Sequence, residues 1–154
     1  MTAPGCGEAG RLGLLAQVQC ALQQHPGSAG VAEQACWALR NMCLSPRNQV
    51  DAGQLGLLAQ VQSALRQHPG SAAVATHACG ALENMCAGGN ADNRAEAGRL
   101  GLLSDVQSAL RRHPGSAVVV EQACWALRNM CAGNAGNRAE ARRVGGAGCS
   151  AAAP

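Results

Sequence analysis

The segment EQACWALRNMC occupies residues 33–43 and returns, letter for letter, at 121–131. Between the copies lies THACGALENMC, 76–86, the same frame with Gly80 in the place of tryptophan. Two other landmarks move with it. His-Pro-Gly-Ser-Ala recurs at 25–29, 68–72 and 113–117, and Gly-x-Leu-Gly-Leu-Leu starts at 10, 53 and 98, with offsets of 43 and 45 throughout. Self-similarity at this period marks an array of stacked units, none of which can bury its apolar face alone.

Each unit reads as three helices. The first stripe, Leu12, Leu15, Val18 and Leu22, steps by three, three and four, a helical pattern. It recurs as Leu55, Leu58, Val61, Leu65 and as Leu100, Leu103, Val106, Leu110. His-Pro-Gly ends that helix, because proline lacks the amide donor and disfavours helix in the residue before it. His25, His68 and His113 are therefore expected to cap helix C-termini, where the dipole favours them. Ser28, Ser71 and Ser116 follow as N-caps of a longer helix, which in the first unit packs through Val31, Ala35, Ala38, Leu39 and Met42. A loop then carries Asn48, Asn93 or Asn137, each expected to cap a short helix.

Composition narrows the class. The chain has 154 residues and a net charge of +3, with no Phe, Tyr or Lys. Nucleic-acid binders cluster their basic residues and add aromatic rings for stacking; here the arginines are scattered, so nucleic acid is not an expected partner. No apolar run is long enough to span a bilayer, and MTAPGCGEAG has neither the features of a secretory leader nor the glycine needed for myristoylation. The expected setting is the cytoplasm or nucleus.

Six of the nine cysteines fall in pairs at one phase: Cys36/Cys43, Cys79/Cys86 and Cys124/Cys131. A spacing of seven is two helical turns, roughly 10.5 Å of rise, too far for a bridge within a pair. It is also unlike the knuckles of structural zinc sites. These cysteines are expected in the core, while Cys6, Cys20 and Cys149 stand outside the pattern and are expected at the surface. No metal or cofactor is expected. The motifs of nucleophile elbows, phosphate loops and zinc proteases are missing, and polar residues recur with the unit where a catalytic pocket would need them once, so the chain is not expected to be an enzyme.

The unit resembles an armadillo repeat. The resemblance rests on the glycine expected between short and medium helices (Gly10, Gly53, Gly98) and on the long helix written Ala-Cys-Trp-Ala-Leu-Arg-Asn. It covers roughly residues 8–144, and it departs from the family at Gly13, Gly56 and Gly101, where such units usually have proline. It implies an all-α fold, a right-handed α-solenoid of about three armadillo-type repeats. The units fall roughly at 8–45, 46–89 and 90–134, with a partial fourth at 135–144; 1–7 is expected to be flexible and 145–154 a disordered tail.

Trp37 and Asn41 are four apart, hence on one helix face, with Glu33 a turn further back. The equivalent rows are Thr76, Gly80, Asn84 and Glu121, Trp125, Asn129, flanked by Arg40, Glu83 and Arg128. Asparagines at this spacing can donate to and accept from an extended backbone, and tryptophans between them can wall pockets. In armadillo proteins that resemble importin-α, a Trp and an Asn so placed bind extended peptides. The resemblance thus implies a protein or peptide partner held by Trp37, Asn41, Asn84, Trp125 and Asn129, with Glu33, Glu121, Arg40 and Arg128 around them. The competing expectation is that Asn serves the neighbouring unit and Trp packs between units, in a scaffold piece that assembles end to end. Neither end carries a polar capping face, so the chain is expected to be a fragment or to self-associate through its end units.

Overall fold

The computed structural model describes residues 13–152, with side chains described over 13–146. The predicted flexible segment 1–7 lies outside them, as do Cys6, Gly10, Leu12 and the Cys149 side chain. Among the described residues the regular structure is entirely α-helical. The helices are α1 (Leu14–Gln24), α2 (Ala29–Met42), α3 (Pro46–Gln54), α4 (Leu57–Gln67), α5 (Ala72–Met85), α6 (Ala91–Leu100), α7 (Leu102–Arg112), α8 (Ala117–Cys131) and α9 (Ala135–Ala152).

The punctuation expected from the sequence sets these boundaries. Ser28, Ser71 and Ser116 accept from the backbone N–H of Val31, Val74 and Val119 at 3.2, 3.1 and 3.3 Å, closing one orphan donor of each long helix. His25, His68 and His113 sit at the C-caps of α1, α4 and α7. Between α3 and α4, and between α6 and α7, the chain turns at Gly56 (φ 78°) and Gly101 (φ 77°), a left-handed geometry that a Cβ would strain.

Helices of like length pack on one another. The long helices α2, α5 and α8 lie side by side in that order, as do α1, α4 and α7, and as do α3, α6 and α9. The core runs between the files: Leu39, Leu57, Leu58, Leu82, Met85, Leu102, Leu103 and Met130 are fully buried. α5, covered on both flanks, buries Val74, Ala78, Cys79, Leu82 and Met85.

Two expectations are corrected. Asn48, Asn93 and Asn137 are not N-caps. α3 is entered through Ser45 and Pro46, and α6 through Asn90, whose side chain accepts from Asn93 N–H at 3.2 Å; Asn134 does the same for Asn137 N–H at 2.9 Å. The later asparagines lie within the first turn with their amides turned inward. Gly53 and Gly98 do not separate helices; they belong to the short helices α3 and α6, and the break falls three residues on, at Gly56 and Gly101. α9 runs from Ala135 to Ala152.

The cysteines divide. Cys36, Cys43, Cys79 and Cys86 are buried, and burial pushes their thiols up to about 12, 11, 12 and 12, so they stay protonated and act as small apolar groups. Cys131 is only half-buried and Cys124 is exposed, because no further long helix lies against α8 among the described residues. Cys20 is half-buried.

Candidate functional site

Because α2, α5 and α8 lie side by side, residues at equal phase on them form rows. Trp37 on α2 and Trp125 on α8 are 46% and 41% exposed, an unusual placement for the two aromatic rings of the chain. Asn41 is exposed one turn on from Trp37, and Asn129 half-buried one turn on from Trp125. Glu121 and Arg128 are exposed, and Glu33 and Arg40 are half-buried.

Each ring has a polar companion. Trp37 stacks on the imidazole of His77, across on α5, with centroids 5.0 Å apart and planes 10° from parallel. Trp125 carries the guanidinium carbon of Arg128 at 4.8 Å from its ring centre, a cation–π contact within one helix. Beside it Glu121, Cys124, Trp125 and Arg128 line a shallow hollow of about 240 Å³.

The centre of the row is organised around a missing side chain. A Cβ on Gly80 would lie 2.6 Å from Cδ of Arg40 and 2.7 Å from its Nε, so the arginine stem of α2 occupies the place that a tryptophan on α5 would take. Its head reaches two helices away. With the Gln122 amide assigned so that its oxygen faces Arg40, Gln122 accepts from Arg40 Nη2 at 3.3 Å and donates to Glu83 Oε2 at 3.1 Å. Arg40 on α2, Glu83 on α5 and Gln122 on α8 thus bridge all three long helices. Burial pushes the Glu83 carboxyl above the usual carboxylate range, Arg40 pulls against it, and Glu121 adds a smaller push in the same sense as burial. Long Arg40 thus meets Gly80 on the next helix, and at the equivalent positions one unit on the chain has the shorter Glu83 and Trp125.

The asparagines do double duty. Asn84 Nδ2 donates to the Arg40 carbonyl at 2.6 Å and Asn129 Nδ2 to the Glu83 carbonyl at 2.8 Å, each reaching the preceding long helix. One N–H of each amide is thereby used, and the second N–H and the carbonyl oxygen remain for another partner. Asn41 has no earlier long helix to reach among the described residues.

His77 was not legible as a site residue, since one histidine at a place held by Gln34 and Gln122 in the other units has no motif around it. Burial, then the neighbouring Arg40, lowers its pKa; Glu33 opposes this weakly. A histidine whose folded pKa lies below its unfolded value costs stability as pH falls, because the unfolded chain takes up the proton more readily. Acidification from about pH 7.5 to about pH 5.5 spans the ordinary histidine range. Over it His77→Gln is expected to lose less stability than the parent, as measured by urea unfolding at both pH values.

Comparison with family models, with curated proteins and with solved structures returned no match to this chain. Among the described residues no helix is long and apolar enough to cross a membrane, and no three His, Cys, Asp or Glu side chains group as a metal site would need.

Proposed function

We propose that the chain is a right-handed α-solenoid of about three armadillo-type units and that the face formed by α2, α5 and α8 binds an extended segment of a partner protein. The observation that carries this reading is the exposure of Trp37 and Trp125 at equal phase on files of packed helices, each with an asparagine one turn away. Large exposed rings flanked by hydrogen-bonding groups are the common make-up of recognition hot spots. With helices roughly 10 Å apart, the two rings are about 20 Å from each other, a span of about six extended residues. Arg40 lies between them, so the ligand meets two walls separated by a cationic bridge and not a continuous groove. Polar residues that recur with the unit suit such a row, and no catalytic role is proposed.

The test uses the chain's own probes. With Trp37 and Trp125 its only aromatic side chains of this kind, indole emission reports directly on the face. A peptide of about six or more residues, selected from an array, is expected to shift that emission on titration. Trp125→Ala is expected to weaken it by about 2 kcal/mol or more, roughly thirtyfold. Asn41→Ala with Asn129→Ala is expected to weaken it further at unchanged helicity. Binding indifferent to all three substitutions would end the proposal.

A second reading, a scaffold piece assembling end to end, is favoured by one observation. Leu14 is 65% exposed although its equivalents Leu57 and Leu102 are fully buried.

A further inference from the structure

Between α1 and α4, and again between α4 and α7, the stacked medium helices leave a crevice built from equivalent residues. Its buried lining is apolar in both: Leu22, Ala32 and Ala64 in the first, Leu65, Ala75 and Ala109 in the second. A histidine bonds across each junction, His68 Nε2 donating to the Pro26 carbonyl at 2.9 Å and His113 Nε2 to the Pro69 carbonyl at 3.0 Å. The polar positions differ. Gln23, Gln60 and Gln67 are the first-junction equivalents of Arg66, Asp105 and Arg112, at the offsets of 43 and 45 that relate the units. In the first crevice Gln67 Nε2 donates to Ser63 Oγ at 3.0 Å, and the space left is about 10 Å³, room for about one water. The second holds a cavity of about 180 Å³.

The charges around that cavity are only partly paired. Asp105 Oδ1 accepts from Arg66 Nε at 2.9 Å, and its Oδ2 accepts from Arg66 Nη2 at 3.3 Å and from Gln62 Nε2 at 2.8 Å. The Asp105 side chain is 12% exposed, so this carboxylate is largely satisfied inside the junction. The same fork ties Arg66 of α4 to α7 and leaves three of its five N–H groups for another partner. Arg112 lies two turns on from Asp105, on the same face of α7. It is exposed, and among the described residues it has no hydrogen-bond or ion-pair partner. Ser108 stands between them on that face and adds a hydroxyl donor to the lining. Two guanidinium groups against one carboxylate leave a single positive charge beside an apolar floor. The first crevice has glutamines at all three positions and no such charge.

We infer that the α4–α7 crevice binds a carboxylate carried on a short apolar stem. Arg112 and the free N–H groups of Arg66 hold the carboxylate, Ser108 donates to it, and the stem lies on Leu65, Ala75 and Ala109. A monoanion cancels the charge of the site. A phosphate dianion would bring a second negative charge beside Asp105 with no further cation to meet it. The cavity is smaller than the roughly 300 Å³ at which small-molecule pockets begin, so it takes a group of a few carbons and not a large ligand. Such a group is either a free short-chain acid or the glutamate side chain of a partner protein. The site uses none of the Trp and Asn row, so it stands or falls independently of peptide binding on the α2–α5–α8 face.

The experiment is a titration of the isotope-labelled whole chain with sodium butanoate at neutral pH, with ionic strength held constant by sodium chloride. Amide and arginine Nε–H resonances report the site. Saturable shifts centred on Arg66, Ser108 and Arg112 are expected, with half-saturation in the millimolar range. Gln60, Ser63 and Gln67 of the first crevice are the internal control and are expected not to saturate. Arg112→Gln gives the second crevice the residue of the first and is expected to weaken binding about tenfold. Arg112 is exposed, so circular dichroism is expected to show parental helicity in this variant. Inorganic phosphate is expected to bind more weakly than butanoate. The tripeptide Ala-Glu-Ala with both ends blocked separates the two sources. Binding at least as tight as butanoate assigns the site to a partner's glutamate, and weaker binding assigns it to a free acid. Shifts that rise linearly without saturating overturn the inference, as does an equal response in the first crevice. So does unchanged affinity in Arg112→Gln, or phosphate binding as tight as butanoate. Peptide binding is scored separately by Trp emission, so failure of one reading leaves the other to its own result.

Discussion

Gly53→Ala is expected to lower stability by about 2 kcal/mol, although helix propensity alone argues for a gain of up to about 1 kcal/mol in the interior of α3. The reason is the approach of the next short helix. A Cβ at position 53 would stand 2.0 Å from Oδ1 and 3.0 Å from Cγ of Asn93. That amide has nowhere to go: Asn93 is 3% exposed and is held at both ends of its reach, donating to the Gln49 carbonyl at 2.9 Å and to the Met85 carbonyl at 2.8 Å. Methyl and amide compete for one volume, so α3 and α6 must separate or both hydrogen bonds must break. Gly98 stands in the same relation to Asn137, with Oδ1 2.1 Å from the added carbon, and Gly98→Ala is expected to behave alike. Urea denaturation followed by circular dichroism measures the change; a midpoint equal to or above the parent's would show that the short helices are not in this contact.

Asn93→Ala is expected to cost more, about 2–4 kcal/mol. It strips the donor from two carbonyls in a buried place and leaves a hollow where the amide was. The Met85 carbonyl is one of the orphan acceptors at the end of α5, with no helical donor to replace the loss. The two substitutions are predicted to interact. In Gly53→Ala with Asn93→Ala, the new methyl enters the space that the amide vacated, so the pair is expected to cost less than the sum of the single changes. A coupling energy of about 1 kcal/mol or more is expected from the double-mutant cycle, and additivity within error would refute the contact.

These residues also show what a single sequence reveals and what it hides. The Ser caps and the His-Pro-Gly stops are local grammar, decided within a few residues, and the long helices begin and the medium helices end where that grammar places them. Leu55 and Leu100, read as the first members of the medium-helix stripes, belong instead to the ends of the short helices. Asn93 illustrates the limit. Its loop, Asn90-Ala91-Asp92-Asn93, offers two candidate caps, and only the position of the Met85 and Gln49 carbonyls decides that Asn90 caps and Asn93 turns inward. The histidines are similar. Their place at C-caps follows from the following proline, yet their bonds to Pro26 and Pro69 depend on how one unit sits on another. The Trp and Asn row was legible as a face because spacing of four suffices for that. The filling of the Gly80 gap by Arg40 was not, since it joins residues forty apart on different helices. Cys124 was misjudged for the same reason: its phase matches Cys36 and Cys79, but its exposure depends on the absence of a covering helix, which phase cannot report.

The inter-unit bonds run in both directions along the array. Asn84, Asn129, His68 and His113 donate towards the N-terminal side, while Gln19, Gln62 and Gln107 donate towards the C-terminal side, to the carbonyls of Leu55, Leu100 and Val144. A unit that melts therefore strands donors and acceptors in both of its neighbours. In a linear array this raises the nearest-neighbour term relative to the intrinsic stability of each unit, the condition under which a short chain of repeats melts in one step instead of fraying from its ends. Mechanical pulling or heat would then meet one barrier for the whole molecule, and a single weakened seam in the middle would split that transition in two.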